Sequence, residues 1–257
     1  MATITAPSQT ASVVDTEAKP ISLLITQTST FYSNLHPVLL LGTLLFSFRS
    51  LVADPVTTLL GLAPTIAILQ AMYCILCFPV AQNGDVKRSG TNKGSTAPGG
   101  SKKKTGSTKP TGQELDIWNR VIPSLLSLTL TTLLSTPLLY ITLILFGAPL
   151  TTHQPHTLLL ALHLALLTTP HLFYVHGLND AETWMKLASL QLPVDEVYGL
   201  SLGALVGAWV GAVPIPLDWD REWQRWPVTV VFGAYWGAVL GLVVGRWVIR
   251  GWRIKLS

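Results

Sequence analysis

Charge is scarce in this chain. Of its 257 residues only 12% are Asp, Glu, Lys or Arg, well below the ~25% of an ordinary soluble domain. With 49% hydrophobic residues and a mean hydropathy of +0.46, that deficit excludes a water-facing globule as the main body and points to a bilayer. Cysteine is almost absent too. Cys74 and Cys77 stand alone, as Cys-Ile-Leu-Cys inside an uncharged apolar run. A redox pair or half a zinc site could use that spacing, but with no second pair the reading favoured here is packing or lipid contact. No Asn-x-Ser/Thr acceptor occurs, so N-glycosylation is not expected. The polar residues Met1–Pro20 lack a basic start and an apolar core, so the first apolar span is expected to act as an uncleaved targeting signal.

What is present is a set of long apolar runs. Six qualify as membrane-crossing helices, which need about 20 mostly apolar residues: Leu35–Val52, Val56–Val80, Val121–Phe146, Leu158–Val175, Val197–Val213 and Val228–Val248. Only Arg49 and Arg246, each near the end of its run, bring charge into them, as a cost of about 2.5–3.5 kcal/mol for a central charge demands. The expected fold is therefore all-α, a polytopic membrane bundle of about six helices. Its parts are a polar tail over 1–30, two helices within 31–80, a disordered basic loop over 81–117, and four helices within 118–257. Asp54-Pro55 makes the first two runs a tight hairpin. Pro123, Pro137 and Pro170 fall within or near later runs, and Pro170 is expected to kink the fourth helix.

The loop from about Ala81 to Thr111 is rich in Gly, Ser, Thr and Lys and cannot bury enough apolar area to order itself. Lys102, Lys103 and Lys104 could touch nucleic acid or anionic lipid, but a solvated loop that sets topology is favoured, and no nucleic-acid partner is expected. Basic residues mark the cytosolic side. Lys87, Arg88, Lys93 and Lys109 join those lysines, and the tail adds Arg250, Arg253 and Lys255. An even number of spans places both clusters and both termini on that side. The opposite side then receives Asp54-Pro55, 147–156 and 214–226. The segment 177–196 falls with the termini, and an interfacial helix near 181–191 is expected in it.

Two runs carry glycine every fourth residue: Gly199, Gly203, Gly207 and Gly211, then Gly233, Gly237, Gly241 and Gly245. Small residues let helix backbones approach in lipid, where no hydrophobic drive joins helices. The two stripes could pack on each other as a hairpin, or one could receive a partner helix or a lipid chain. Both readings stay open.

Between them lies Pro-Ile-Pro-Leu-Asp-Trp-Asp-Arg-Glu-Trp-Gln-Arg-Trp-Pro, residues 214–227. Indoles favour the headgroup region. Trp219, Trp223 and Trp226 would share a face of a short interfacial helix, which Asp218 or Asp220 could cap. Asp218 and Asp220 could instead hold a divalent metal, with Arg221 and Arg225 gripping phosphate. The local cap and salt-bridge reading is favoured, and no metal or cofactor is expected. His163 and His171 within the fourth span, and His176 after it, are spaced for helix–helix hydrogen bonds rather than for a shared ligand. His153 and His156 flank a surface loop. Neither a Ser-His-Asp set, a phosphate loop nor a carboxylate pair of catalytic type is legible.

The run 207–228, Gly-Ala-Trp-Val-Gly-Ala-Val-Pro-Ile-Pro-Leu-Asp-Trp-Asp-Arg-Glu-Trp-Gln-Arg-Trp-Pro-Val, resembles the signature of the PIG-F family of GPI-anchor biosynthesis proteins, and Phe146-Gly-Ala-Pro-Leu150 resembles a second family segment. The resemblance covers about 146–248. It implies a multi-pass protein of the endoplasmic reticulum. It further implies a stabilising, non-catalytic role beside ethanolamine-phosphate transferase subunits with large luminal domains, which add phosphoethanolamine to mannose, notably the third, of the GPI precursor. Membrane lipids, phosphatidylethanolamine or the GPI precursor among them, are further expected contacts. The tail Arg253-Ile-Lys255-Leu-Ser257 is similar to a cytosolic retrieval signal. The competing readings are direct catalysis through Asp218, Asp220 and Arg221, and a small-solute transporter, which the lack of intramembrane acids and bases disfavours.

Overall fold

The computed structural model describes residues 19–81, 112–217 and 219–252, with backbone alone for 112–116. The expectations for the N-terminal residues to 18, the Lys-rich loop 82–111, Asp218 and the tail from Arg253 lie outside the described residues. Every regular element among those residues is helical: α1 (Gln27–Ala53), α2 (Pro55–Cys77), α3 (Gly112–Leu130), a π turn (Thr131–Ser135), α4 (Thr136–Leu145), α5 (Gln154–Thr168), α6 (Pro170–His176), α7 (Ala181–Ala188), α8 (Glu196–Ala212), the 3-10 turns Ile215–Leu217 and Glu222–Gln224, and α9 (Val228–Trp247). They make six stretches long and apolar enough to cross a membrane: Gln27–Ala53, Pro55–Cys77, Ile117–Leu145, Gln154–His176, Glu196–Leu217 and Val228–Trp247. The chain is an all-α, multi-pass membrane bundle.

Asp54 builds the first hairpin. Its backbone N–H closes α1 on the Ser50 carbonyl, and its carboxylate opens α2 by accepting from the Thr57 N–H at 3.2 Å. Pro55 takes the first position of α2, where its missing N–H costs nothing. Hydrogen bonds from Thr57 hold the Asp54 carboxyl below its usual range. Polar residues extend two helices beyond their apolar runs. Thr26 accepts from Ser29 N–H at 3.2 Å and starts α1 inside the stretch read as a polar tail, while α3 begins at Gly112, inside the stretch read as loop. Hydropathy detects the lipid-crossing part of a helix, not the turns that project beyond it.

The prolines act as their chemistry requires. Pro170 divides the fourth span into α5 and α6. Pro137 has no N–H for the carbonyl four residues back, and the π turn Thr131–Ser135 ends two residues before it. The fourth span is the bundle's centre. Leu160, Ala161, Ala165, Leu166 and Leu167 are fully or almost fully buried. The third span is peripheral and mostly exposed. It is held by hydroxyls: Ser127 Oγ donates to the Pro170 carbonyl at 2.7 Å, and Thr169 Oγ1 donates to Thr131 Oγ1 at 3.0 Å. Alternating spans gather Asp54, 147–153 and 214–227 at one end of the bundle. The other end is tied by backbone bonds from Leu24 to Cys77, Ala81 to Tyr174 and Gly251 to Val194.

The amphipathic segment expected near 181–191 is α7. Asp180 caps it by accepting from the N–H groups of Glu182 and Thr183, and Trp184 Nε1 donates to the Gly177 carbonyl at 2.9 Å. Cys74 and Cys77 are free and buried, and Cys77 Sγ contacts the Ser29 carbonyl at 3.6 Å. Among the described residues no three His, Cys, Asp or Glu side chains group as metal ligands.

Candidate partner and lipid surface

The eight glycines form one seam. A methyl built on Gly203 would stand 2.7 Å from the Gly241 Cα, and one on Gly207 would stand 2.7 Å from the Gly237 Cα. Both would fall still closer to a carbonyl oxygen of the facing helix. Gly199 meets Gly245 and Gly211 meets Gly233 in the same way. The backbones of α8 and α9 therefore touch over the length of the hairpin, as small-residue packing in lipid allows. Ala204, Ala208, Ala234 and Ala238 are buried beside the seam. On its outer side a valley of about 670 Å³ runs from Pro214 and Trp223 to Val194 and Ile249.

The segment 214–227 closes this hairpin, and it is not the short helix expected from its tryptophan spacing. Pro214, Pro216 and Pro227 supply no N–H to a helix, and Gln224 organises the chain instead. Its Oε1 accepts from the N–H groups of Trp219 (3.0 Å) and Arg221 (3.4 Å), and its Nε2 donates to the Pro214 carbonyl at 2.5 Å. Asp220 has φ 51° and lies just ahead of the 3-10 turn Glu222–Gln224, so it does not cap a helix. The tryptophans separate accordingly. Trp219 is exposed and sits edge-on to Trp223, with ring centroids 5.9 Å apart. Trp226 turns inward, and its Nε1 donates to Thr157 Oγ1 at 3.2 Å. Arg225 pairs with Glu222 at 2.7 Å rather than standing free for phosphate. Asp220 and Arg221 are exposed.

The opposite end of the hairpin carries an ion pair that the sequence reading missed. Asp195 caps α8, its two oxygens accepting from Tyr198 N–H at 2.9 Å and Ile21 N–H at 2.8 Å. Burial nonetheless raises its carboxyl above the usual range. Glu196 therefore opens the helix rather than ending a loop, and it is buried. Arg246 Nε donates to Glu196 Oε2 at 2.8 Å, Arg246 Nη2 donates to Glu196 Oε1, and the Tyr73 hydroxyl donates to that same oxygen. The guanidinium also reaches Asn34 Oδ1 at 2.8 Å and the Ser33 carbonyl at 3.0 Å. His36 stacks on Tyr73 with centroids 4.0 Å apart. Spans free of acid are thus a reading that the structure corrects. The signal was present: antiparallel glycine stripes put Glu196 and Arg246 at one end of the hairpin.

The histidines of the fourth span join helices. His163 Nε2–H donates to the Leu59 carbonyl at 2.9 Å, and its Nδ1 accepts from the Tyr235 hydroxyl at 2.7 Å. This tautomer is fixed because a carbonyl can only accept. His171 Nε2–H donates to Ser201 Oγ at 2.8 Å, since that hydroxyl gives its own hydrogen to the Thr168 carbonyl.

No solved structure matches the chain. The family described as "GPI biosynthesis protein family Pig-F" matches residues 35–246. The chain is also similar to proteins named glycosylphosphatidylinositol anchor biosynthesis protein 11. The one from Aspergillus fumigatus is 41% identical, with 91% of this chain and 86% of the relative covered. The one from Neurospora crassa is 42% identical over 88% and 78% of the two chains. The one from Pyricularia oryzae is 44% identical over 86% and 78%. With a signature seated on a glycine-sealed hairpin and this match over most of its length, the chain belongs to the Pig-F family of GPI biosynthesis proteins.

Proposed function

We propose that this chain is a non-catalytic membrane subunit of the ethanolamine-phosphate transferase that adds phosphoethanolamine to mannose, notably the third, of the GPI precursor. In this reading it resides in the endoplasmic reticulum with both termini cytosolic. The glycine seam makes the C-terminal hairpin a stiff post, and the loop 214–227 at its tip docks a catalytic subunit with a large luminal domain beside the luminal headgroups.

The observation that carries this reading is the construction of the loop. Its internal polar groups are spent on shape: Gln224 on three backbone partners, Trp226 on Thr157, Glu222 on Arg225. Among the side chains it turns outward are an indole, Trp219, and a guanidinium, Arg221. Trp and Arg are the side chains that most often anchor protein interfaces, and presenting them on a fixed loop lowers the ordering cost of binding.

The test is co-purification from membranes. Trp219→Ala with Arg221→Ala should lower the recovered transferase subunit roughly tenfold or more, as loss of an interfacial anchor does, while the level of this chain stays unchanged. Full recovery of the partner together with normal GPI assembly would refute the docking role. Asp218→Asn with Asp220→Asn separates the catalytic alternative: the docking reading expects normal GPI assembly, and an intact complex without turnover would favour catalysis.

A further inference from the structure

The connection between the fourth and fifth spans carries an apolar flank that the bundle leaves uncovered, and its depth indicates what meets it. α7 follows closely on the fourth span, which ends at His176, and it folds back along α6 rather than standing above it. Trp184 packs against Phe173 with ring centroids 5.2 Å apart, and Phe173 lies inside the span, almost one turn before its end. The indole N–H of Trp184 is held by the Gly177 carbonyl at 2.9 Å. α7 therefore sits level with the last turn of a membrane-crossing helix. Exposed indoles mark the same level at this end of the bundle: Trp247, the last residue of α9, and Trp118, near the start of the third span, as expected of tryptophan among headgroups. At about 100° per residue, α7 has three sides. Thr183 and Leu187 turn toward α8: Thr183 lines a cleft with Tyr198, and Leu187 packs on the core. Glu182 and Lys186 pair at 2.7 Å on a polar side. Between that polar side and Trp184, on the flank away from α8, run Ala181, Met185 and Ala188, all exposed, with Met185 at 65%.

We propose that α7 is a lipid-anchored brace: its flank of Ala181, Met185 and Ala188 is embedded in the phospholipid leaflet at the end of the bundle opposite the 214–227 loop, where acyl chains meet headgroups. The occupant follows from continuity. The outer surface of the fourth span faces lipid at Phe173, and the flank beside Trp184 extends that surface without a break. A soluble partner approaches from water and meets the Glu182–Lys186 side instead. A helix divided in this way buries its apolar side about 5–10 Å into the boundary between headgroups and acyl chains. Here the bundle already covers Trp184 and Leu187, so lipid has only the remaining flank to cover. The anchor also acts on the seam. The Tyr198 hydroxyl donates to the Leu187 carbonyl at 2.5 Å, and Tyr198 immediately precedes Gly199, where the first glycine stripe begins. Lipid that fixes α7 thereby steadies the base of the hairpin. This inference does not rest on the docking role of the loop, which lies at the other end of the molecule.

The experiment places the full chain in phosphatidylcholine vesicles with a nitroxide attached at Met185→Cys or at Glu182→Cys. Cys74 and Cys77 are buried, and the parent chain carried through the same labelling checks that they stay unmodified. At 185, relaxation by dissolved oxygen, which concentrates in lipid, should exceed relaxation by a water-soluble nickel chelate and give a depth of about 5–10 Å. At 182 the order should reverse. Met185→Asp should speed amide exchange of Trp184 and Leu187 about tenfold or more, because a carboxylate resists lipid, and the Tyr198 amide should quicken with them. Met185→Leu should leave all three unchanged. The nitroxide comparison stands even if Met185→Asp misfolds. Nickel that reaches 185 as readily as 182 would overturn the proposal. So would a Tyr198 amide indifferent to Met185→Asp, or Met185→p-benzoylphenylalanine that captures polypeptide rather than phospholipid in native membranes.

Discussion

Gly203→Ala replaces a hydrogen by a methyl group where the structure has no room. The new methyl would stand 2.7 Å from the Gly241 Cα and closer still to the Gly237 carbonyl oxygen. Carbon atoms pack at about 3.5–4.0 Å, so α8 and α9 must part by roughly 1 Å. A gap of that size forfeits between a quarter and a half of each contact's attraction along the seam. Overpacking of this kind costs about 1–3 kcal/mol. The helix propensity of Ala over Gly returns up to ~1 kcal/mol. A net loss of about 1–2 kcal/mol follows, and Gly237→Ala should cost the same. Gly61→Ala is the internal control. A methyl there meets nothing within 4 Å, so only the propensity gain remains, and that variant should be neutral or slightly more stable. The assay is reversible unfolding in detergent micelles, comparing each variant with the parent chain. If Gly203→Ala and Gly61→Ala change stability alike, the backbone-contact account of the seam fails.

Three further outcomes follow from other parts of the molecule. Glu196→Ala leaves the Arg246 guanidinium buried without its carboxylate and should cost about 3–5 kcal/mol, whereas Glu196→Leu with Arg246→Met should recover most of that loss; thermal melts in detergent test both. Gln224→Ala removes three hydrogen bonds from the loop, each worth about 0.5–1.5 kcal/mol, so amide exchange of Trp219 and Arg221 should speed up by an order of magnitude or more while α8 and α9 keep their protection. Asp54 has a depressed folded pKa because Thr57 donates to it. Its contribution to the first hairpin is therefore complete above the ordinary value of 3.8 and fades as pH falls through the depressed one. Exchange at the Thr57 amide, read at a series of acid pH values, should report this, and Asp54→Ala should remove the dependence.

Much of the architecture was legible because the bilayer imposes simple rules. Apolar length gave the six crossings, Asp54-Pro55 gave the first hairpin, and Pro170 gave the break in the fourth span. Ends were less legible, since α1 and α3 continue through polar residues that hydropathy does not register. The loop 214–227 was misread for a different reason. Spacing places Trp219, Trp223 and Trp226 on one helical face only if the backbone is helical, and here Gln224, a residue with no distinctive signal of its own, bends the chain with three side-chain hydrogen bonds. The Glu196–Arg246 pair was hidden by a boundary. Glu196 was counted with the loop because the apolar run starts at Val197, and only cap geometry shows that Asp195 ends the loop and Glu196 begins the helix.

The Glu196–Arg246 pair bears on how the chain enters the bilayer. The two side chains are buried against each other in the folded bundle, and they meet only after the chain has crossed the membrane and returned. The last two crossings therefore complete this pair together. A chain ending after Ala212 would keep Glu196 at the rim of the lipid and lack the guanidinium that meets it.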